Sequence, residues 1–373
     1  MSAAGQPAAA GPAPRPAADG PGVRTVRLCL LGFGSVARAF CTLLAQQEHV
    51  LAAEHGLRVL VTAAGTRQGS LLAPDGMTPA AVLAAIGERP APPQAARPAG
   101  ELLSSSAADV LVELTVMEED FAPVATSHVE TAFRLGMDVV TANKGPIAWN
   151  WRRVAAAAAA AGRRIRFEST VMDGLPVFSL LELALPDCRL LGFEAVFNAT
   201  TNYIVDAMGT GRSFDEALAH VQAEGYAEAD PAHDIDGWDA ACKAAALANV
   251  AMDAGITPAD IDKQSLRDVP LERIAQARFN GNRLRLVRTV WRETPDGVAP
   301  GAGPATPAGP VRGRVRATEL DIDHPLAPVG SESLGAVLHT DLMADVFVCE
   351  IAALVPQTAY GVYADLLHLC RDR

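Results

Sequence analysis

The sequence predicts a two-domain α/β protein whose first domain is a doubly wound sheet, and three observations carry that reading. The chain has 373 residues, half of them hydrophobic, which is enough for two separate cores. An apolar run, Val26-Arg27-Leu28-Cys29-Leu30-Leu31, is followed at once by Gly32-Phe33-Gly34-Ser35-Val36-Ala37 and then by helix-like Arg38-Ala39-Phe40-Cys41-Thr42-Leu43-Leu44. Further apolar runs at 57–63, 109–115 and 138–140 alternate with helix-like segments, as in a parallel sheet with crossovers.

The first of these elements is the most specific. Strand, glycine turn and helix in that order let a dinucleotide pyrophosphate approach the backbone and face a helix N-terminus, the Rossmann-type arrangement. Gly32, Phe33, Gly34, Ser35, Val36 and Ala37 are therefore candidate cofactor-binding residues. The second strand ends in Ala64-Gly65-Thr66-Arg67, without the acidic residue that bonds the ribose 2′-hydroxyl in NAD-selective folds. A 2′-phosphate on Thr66 and Arg67 would favour NADP over NAD; the plainer alternative is that Arg67 is a loop charge. Residues 70–106 read as an elaborated crossover with a helix near 78–86. After the strand at 109–115, a helix at 122–135 leads to a fourth strand and Thr141-Ala142-Asn143-Lys144-Gly145-Pro146. Ligands of a doubly wound sheet bind outside the carboxyl ends of its strands, where Thr115 and Lys144 fall, although a lysine after a strand is more often a solvated charge.

Composition narrows the partners. A net charge of -12 argues against nucleic acid or an anionic membrane, and no apolar run approaches a membrane span. Residues 1–22 are Ala/Pro/Gly-rich without a signal-peptide core and read as a disordered tail. The six cysteines have no metal or redox spacing and read as buried reduced thiols of a cytoplasmic protein.

The densest chemistry lies in Gly225-Tyr226-Ala227-Glu228-Ala229-Asp230-Pro231-Ala232-His233-Asp234-Ile235-Asp236-Gly237-Trp238-Asp239-Ala240-Ala241-Cys242-Lys243. This is a carboxylate-rich loop that launches an Ala-rich helix, with Asp236 expected as its cap. Asp239 and Lys243 stand one turn apart on one face. With Glu228 they form a plausible grip for a zwitterionic amino acid, with a proton donor in reach. An ordinary solvent-facing i,i+4 ion pair has the same spacing.

These stretches resemble the homoserine dehydrogenases over residues 26–250 and, more weakly, beyond. The resemblance rests on Gly225 to Pro231, on Asp236-Gly237-Trp238-Asp239 with Lys243, on Thr141-Ala142-Asn143-Lys144 and on Phe197-Asn198-Ala199-Thr200-Thr201-Asn202-Tyr203. It implies reduction of L-aspartate 4-semialdehyde to L-homoserine with NAD(P)H, on the route to threonine, methionine and isoleucine. Lys243 would be the proton donor, Asp239 its support, and Lys144 would lie between nicotinamide and substrate. Glu228, Asp239, Thr200, Asn202 and Tyr226 would line the amino-acid pocket. The segment 166–177 would wrap a monovalent cation, sodium by family, through main-chain carbonyls at Glu168, Val171, Asp173 and Leu175. The implied organisation is a cofactor domain at 23–150, an α+β catalytic and dimerisation domain at 151–340, and a return at 341–373 whose terminal helix packs on the cofactor domain, in a homodimer.

The chain departs from that family in three places. Ala199 and Met172-Asp173 replace glycines, and Glu350-Ile351-Ala352-Ala353-Leu354-Val355-Pro356 replaces a glycine-rich turn. No appended amino-acid-sensing domain is expected. Three rivals are another NAD(P)-dependent oxidoreductase of amino or hydroxy acids, a catalytically silent cofactor-binding regulator, and a phosphorylating semialdehyde dehydrogenase, which would need Cys242 as a nucleophile.

Overall fold

A computed structural model describes residues 22–89, 91–118, 121–224, 227, 230–293, 309–351 and 353–371. The expected tail at 1–22 therefore lies outside the described residues except for Gly22, as does most of the Pro/Gly/Ala stretch after residue 293. The chain divides into two compact units.

The first unit comprises residues up to 115 with 128–139 and 158–164. Its elements begin with β1 (Arg24–Leu31), α1 (Ser35–Gln46), α2 (Glu48–His55), β2 (Leu57–Gly65), β3 (Ser70–Met77), α3 (Pro79–Ile86), α4 (Ala99–Ser105), β4 (Val110–Glu113), α5 (Pro123–Arg134) and β5 (Asp138–Thr141). With β6 (Ile165–Arg166) the strands form one sheet in the order β3-β2-β1-β4-β5-β6. β1 pairs in parallel with both β2 and β4, so the strand order reverses at β1, beside the glycine turn. β3 is a strand where a loose crossover was expected: it pairs antiparallel to β2 at the sheet edge. Its Pro74 and Gly76 disguise it in sequence, and an edge strand tolerates both.

The second unit comprises 116–127, 140–157 and 165–371. α6 (Gly145–Ala161) kinks at Asn150, where the backbone leaves helical values. The boundary expected at residue 150 thus falls inside one helix. Next come α7 (Val177–Ser179), β7 (Leu190–Val196), α8 (Ala199–Met208), α9 (Phe214–Ala223), α10 (Ala232–Ile235) and α11 (Trp238–Ala251). β8 (Asp262–Lys263), α12 (Leu271–Phe279), β9 (Arg283–Arg292), β10 (Val311–Leu320), β11 (Leu334–Thr340), β12 (Asp345–Glu350) and α13 (Val355–Arg371) complete the unit. Its sheet runs β12-β11-β7-β9-β10-β8 and is antiparallel except for the short β10–β8 pairing. An α+β unit of this kind buries one sheet face under helix. Here α11 does so with Ala240, Ala241, Ala244, Ala245 and Ala248, all at 0% exposure, against Phe193, Ala195, Leu286, Val290 and Val315.

β12 is the edge strand of the second sheet, and α13 packs on the 168–174 segment and on β6, a strand of the first sheet. Asp365 accepts from the Glu168 N–H at 2.8 Å and the Thr358 carbonyl accepts from the Ser169 hydroxyl at 2.8 Å. The segment before β8 forms a 3-10 turn, Pro258–Asp260, closed by a Thr257/Asp260 capping box. A capping box, Ser213 with Glu216, starts α9.

The cap of α11 also differs from expectation. Asp236 does not cap it; its carboxylate accepts from the Ser265 hydroxyl at 2.8 Å. The N-cap is Gly237, left-handed at φ 79°. A Cβ there would meet its nearest neighbour at 3.6 Å, so backbone strain alone opposes a side chain. Gly237→Ala should lower unfolding free energy by about 1–2 kcal/mol, read in urea with the slope unchanged, and Gly237→Asn should cost less.

Candidate active site

The turn after β5 is built to present one lysine. The Thr141 hydroxyl accepts from the Asn143 N–H at 3.0 Å, and the Asn143 side-chain oxygen accepts from the Gly145 N–H at 2.9 Å. These two local bonds fix the backbone on either side of Lys144 and start α6. Lys144 then donates through Nζ to Asp239 Oδ1 at 2.7 Å.

Asp239, in the first turn of α11, is 8% exposed and joins three groups. Besides Lys144, its Oδ2 accepts from Asn198 Nδ2 at 3.0 Å and stands 3.4 Å from Lys243 Nζ. Lys243 donates to the Phe197 carbonyl at 2.8 Å. Asn198 also donates to Asp234 Oδ1 at 2.7 Å, while its own oxygen caps α8 by accepting from the Thr201 N–H at 2.8 Å. The i,i+4 pair expected on α11 is thus present, and it faces the interior of a charge cluster. The shorter of Asp239's two ion pairs is the one to Lys144, ninety-five residues away in sequence.

The electrostatics follow from burial and pairing. Burial by itself raises the Asp239 carboxyl, but Lys144 and Lys243 together with the Lys144 and Asn198 hydrogen bonds hold it well below the usual carboxylate range. Burial by itself lowers the Lys144 ammonium, and Asp239 raises it above its ordinary value. Asp234 is pushed up by burial and by its neighbour Asp239, against hydrogen bonds from Asn198 and Thr200. The Asp239 carboxyl therefore stays ionised between the two lysine side chains, and it holds Lys144 as the ammonium. Cys242, in the same helix turn, is buried with its thiol pushed up to about 12 by desolvation, which removes it as a nucleophile. Cys29 and Cys41 are raised to about 12 in the same way, whereas Cys188 and Cys349 are only partly buried, contrary to the expectation for all six.

In the first unit the glycine turn has the form a pyrophosphate needs. Gly32 is left-handed at φ 90°, and a Cβ there would lie 2.2 Å from the Leu114 carbonyl. A Cβ on Gly34 would meet nothing within 4 Å, and no side chain caps α1. Its first N–H groups thus face open space framed by exposed Gly34 and Ser35, with Phe33 and Ala37 packed behind and Val36 between. Arg67 is exposed, but the Thr66 hydroxyl is used by its own turn, accepting from the Gln68 and Gly69 N–H groups at 3.2 and 3.1 Å. Thr115 donates to the buried carboxylate of Glu113, which also meets His128 at 3.3 Å.

The remaining expected residues separate. Thr200 belongs to the cluster through Asp234. Asn202 is 1% exposed and reaches the Gly330 and Ser333 carbonyls at 3.4 and 3.3 Å, so it ties α8 to a loop. Glu228 and Tyr226 lie outside the described residues. Ala199 is accommodated because it opens α8 in helical conformation. Asp173 occupies a left-handed position at φ 48°, which aspartate tolerates better than most side chains, and accepts from the Thr358 hydroxyl at 3.2 Å. At the expected cation loop the Glu168 carboxylate accepts from the Phe178 and Ser179 N–H groups at 2.7 and 2.9 Å, Val171 is buried, and the Leu175 carbonyl accepts from the Val177 N–H at 2.8 Å. Glu350, raised to about 7 by burial and by Asp173, accepts from the Gly174 and Leu175 N–H groups.

Asn198 and Asp234 were quoted in sequence but given no role. An Asn three residues before a helical Thr is a cap signal, and that cap is what aims its amide at both carboxylates.

A glycine turn shaped for a dinucleotide and a buried Lys-Asp-Lys cluster define a nicotinamide-dependent oxidoreductase. Residues 32–168 match the family described as homoserine dehydrogenase, NAD binding domain, and residues 176–367 match homoserine dehydrogenase. The chain belongs to the homoserine dehydrogenase family. It is 30% identical to an NAD(+)-dependent homoserine dehydrogenase of Pseudomonas canavaninivorans over 92% of this chain and 96% of that one. It is also 30% identical to a homoserine dehydrogenase of Mycobacterium leprae over 94% and 73%. Among solved structures, the homoserine dehydrogenase of Thiobacillus denitrificans superposes with a TM-score of 0.77 at 26% identity, covering 94% of this chain and 74% of that one. A hyperthermophilic archaeal homoserine dehydrogenase in complex with NADPH gives 0.75 at 25%, covering 94% and 99%.

The depressed Asp239 carboxyl gives a pH-dependent expectation. Its contribution to stability is complete above the unfolded value of about 3.9 and is lost as pH falls through the lower folded value. Asp239→Asn should therefore show a stability deficit at pH 7 that persists to about pH 4 and narrows below it, read by urea unfolding at several pH values.

Proposed function

We propose that the cluster of Lys144, Asp239 and Lys243 is the catalytic centre for interconversion of L-aspartate 4-semialdehyde and L-homoserine. The observation that carries the reading is the Asp239 carboxylate shared by two ammonium groups, at 2.7 Å from Lys144 and 3.4 Å from Lys243. When bound, the nicotinamide dinucleotide supplies the hydride in reduction and accepts it in oxidation. Gly32, Phe33, Gly34, Ser35, Val36 and Ala37 would hold its pyrophosphate, with Arg67 at the adenosine end and Thr115 and Lys144 toward the nicotinamide.

The chain's own residues have three tasks. Lys243, less tightly bound to Asp239 than Lys144 is, delivers a proton to the alkoxide that forms when the aldehyde is reduced. Lys144, locked by Asp239, adds fixed positive charge where that oxyanion develops, without reorganising during the reaction. Glu228, Thr200 and Tyr226 hold the amino-acid end of the substrate. Asn202 supports this pocket through the loop it anchors.

Lys243→Met should lower kcat by at least about a hundredfold with little change in KM. Glu228→Gln should act chiefly on KM for homoserine. Equal and negligible losses in both variants would remove the assignment.

The finer readings are NADP as preferred coenzyme, sodium held by carbonyls of 168–175, and a cytoplasmic homodimer serving threonine, methionine and isoleucine synthesis. An exposed Arg67 with no acidic residue at the end of β2 supports the first. The Asp173 and Glu350 carboxylates beside the loop support the second. The exposed side chains of Phe347, Ile351 and Leu354 near the edge of the second sheet support a subunit contact. One series of initial rates, with NADP against NAD and with sodium against potassium, tests the first two. Arg67→Ala should cost about tenfold in kcat/KM for NADP and little for NAD, and sedimentation of the same preparation reads the subunit state.

A further inference from the structure

Arg288 is a fully buried side chain, at 0% exposure, and nothing in the site described so far accounts for it. It sits in the middle of β9, opposite Ala195 of β7 and Val315 of β10. Directly opposed residues of an antiparallel pair share a face, and residues two apart along a strand do as well. Arg288 therefore shares the face of Leu286, Val290, Ala195 and Val315, all members of the core that α11 covers. That helix carries Asp239 and Lys243. The guanidinium is thus set into an apolar layer beneath the catalytic cluster.

Its bonding is incomplete. Nη1 donates to the Leu286 carbonyl at 2.8 Å, while Nε and Nη2 have no hydrogen-bond partner. Arg285, three residues earlier on the same strand, shows the usual arrangement, with Asp206 at 2.6 Å. An unpaired buried guanidinium is costly, and a neutral side chain of the same length would pack there at less expense. The charge is nevertheless retained: burial lowers Arg288 only to about 10, and the carboxylates whose fields reach it are Asp239 and Asp234.

We propose that Arg288 is a positioning residue of the catalytic cluster, a buried counter-charge beneath α11 that holds Asp234 and Asp239 as carboxylates and so keeps Lys144 and Lys243 anchored. The proposal rests on the reading of that cluster as the catalytic centre. Asn198 gives one amide group to two carboxylates, which leaves their mutual repulsion to be offset by cations. Lys144 comes from the turn after β5 and Lys243 from α11, and both lie on Asp239. Among the described residues, Cys242 on α11 and Lys263 on β8 also carry titratable groups beside the cluster; the first is a neutral thiol, and the second is held over the Trp238 ring at 4.1 Å. Arg288 adds a third cation whose field reaches Asp234, beside those of Lys144 and Lys243, and it bonds to neither carboxylate.

Removing a positive charge from beside a carboxylate raises its pKa, and removing it from beside an ammonium does the same. Both limbs of the kcat/KM profile in the reduction direction should therefore move to higher pH in Arg288→Met, by on the order of one unit. Arg288→Lys, which keeps the charge, should retain the wild-type limbs. A role in packing alone would lower the melting temperature and leave the limbs in place. Unmoved limbs in the Met variant, or a Lys variant displaced as far as Met, would overturn the proposal. Should the Met variant not fold, Arg288→Gln, which also removes the charge, takes its place: limbs displaced to higher pH support the proposal, and unmoved limbs reject it. Turnover surviving in Lys243→Met would instead reject the catalytic centre, whereas an essential Lys243 with unmoved limbs rejects Arg288 alone.

Discussion

A single carboxylate organises the second unit. Asp239 is bonded to Lys144 at 2.7 Å, to Asn198 at 3.0 Å and stands 3.4 Å from Lys243, so it joins the turn after β5, the cap of α8 and the first turns of α11. Charged groups tolerate this much burial only when each has a partner, and the partners here come from distant parts of the sequence. The arrangement also lets two lysines from separate elements lie close together, because both share that one anion.

The surrounding backbone serves this constraint. The Thr141 and Asn143 side chains staple the turn that aims Lys144, and Gly237 takes a left-handed conformation so that α11 can begin abruptly after α10. Asn198 works at both ends of its amide, capping α8 with its oxygen and bridging two carboxylates with its nitrogen. Local capping chemistry and the site's electrostatics are thus performed by the same atoms.

Much of this was legible in sequence, and the reasons differ by element. The glycine turn was readable because strand, glycines and helix follow one another without interruption, and the Asp239/Lys243 pair because i,i+4 spacing on an Ala-rich helix leaves little freedom. The contact between Lys144 and Asp239 was not derivable from spacing, since only the tertiary fold brings together residues ninety-five positions apart. β3 was hidden by Pro74 and Gly76, which an edge position forgives. Asp236 looked like the better cap and lost to Gly237, because Ser265 offers its carboxylate a partner from outside the helix. Arg288 gave no sign at all: an arginine in an apolar strand normally points to solvent, and only its register opposite Ala195 and Val315 puts it inside.

The alanines of α11 carry a further consequence. Ala240, Ala241, Ala244, Ala245 and Ala248 are all completely enclosed, so the distance from helix axis to sheet is set by methyl groups touching strand side chains. Every ångström of that spacing is transmitted to Asp239 and Lys243, which stand on the same helix. Attempts to broaden the range of aldehydes accepted by this chain should therefore leave the helix untouched.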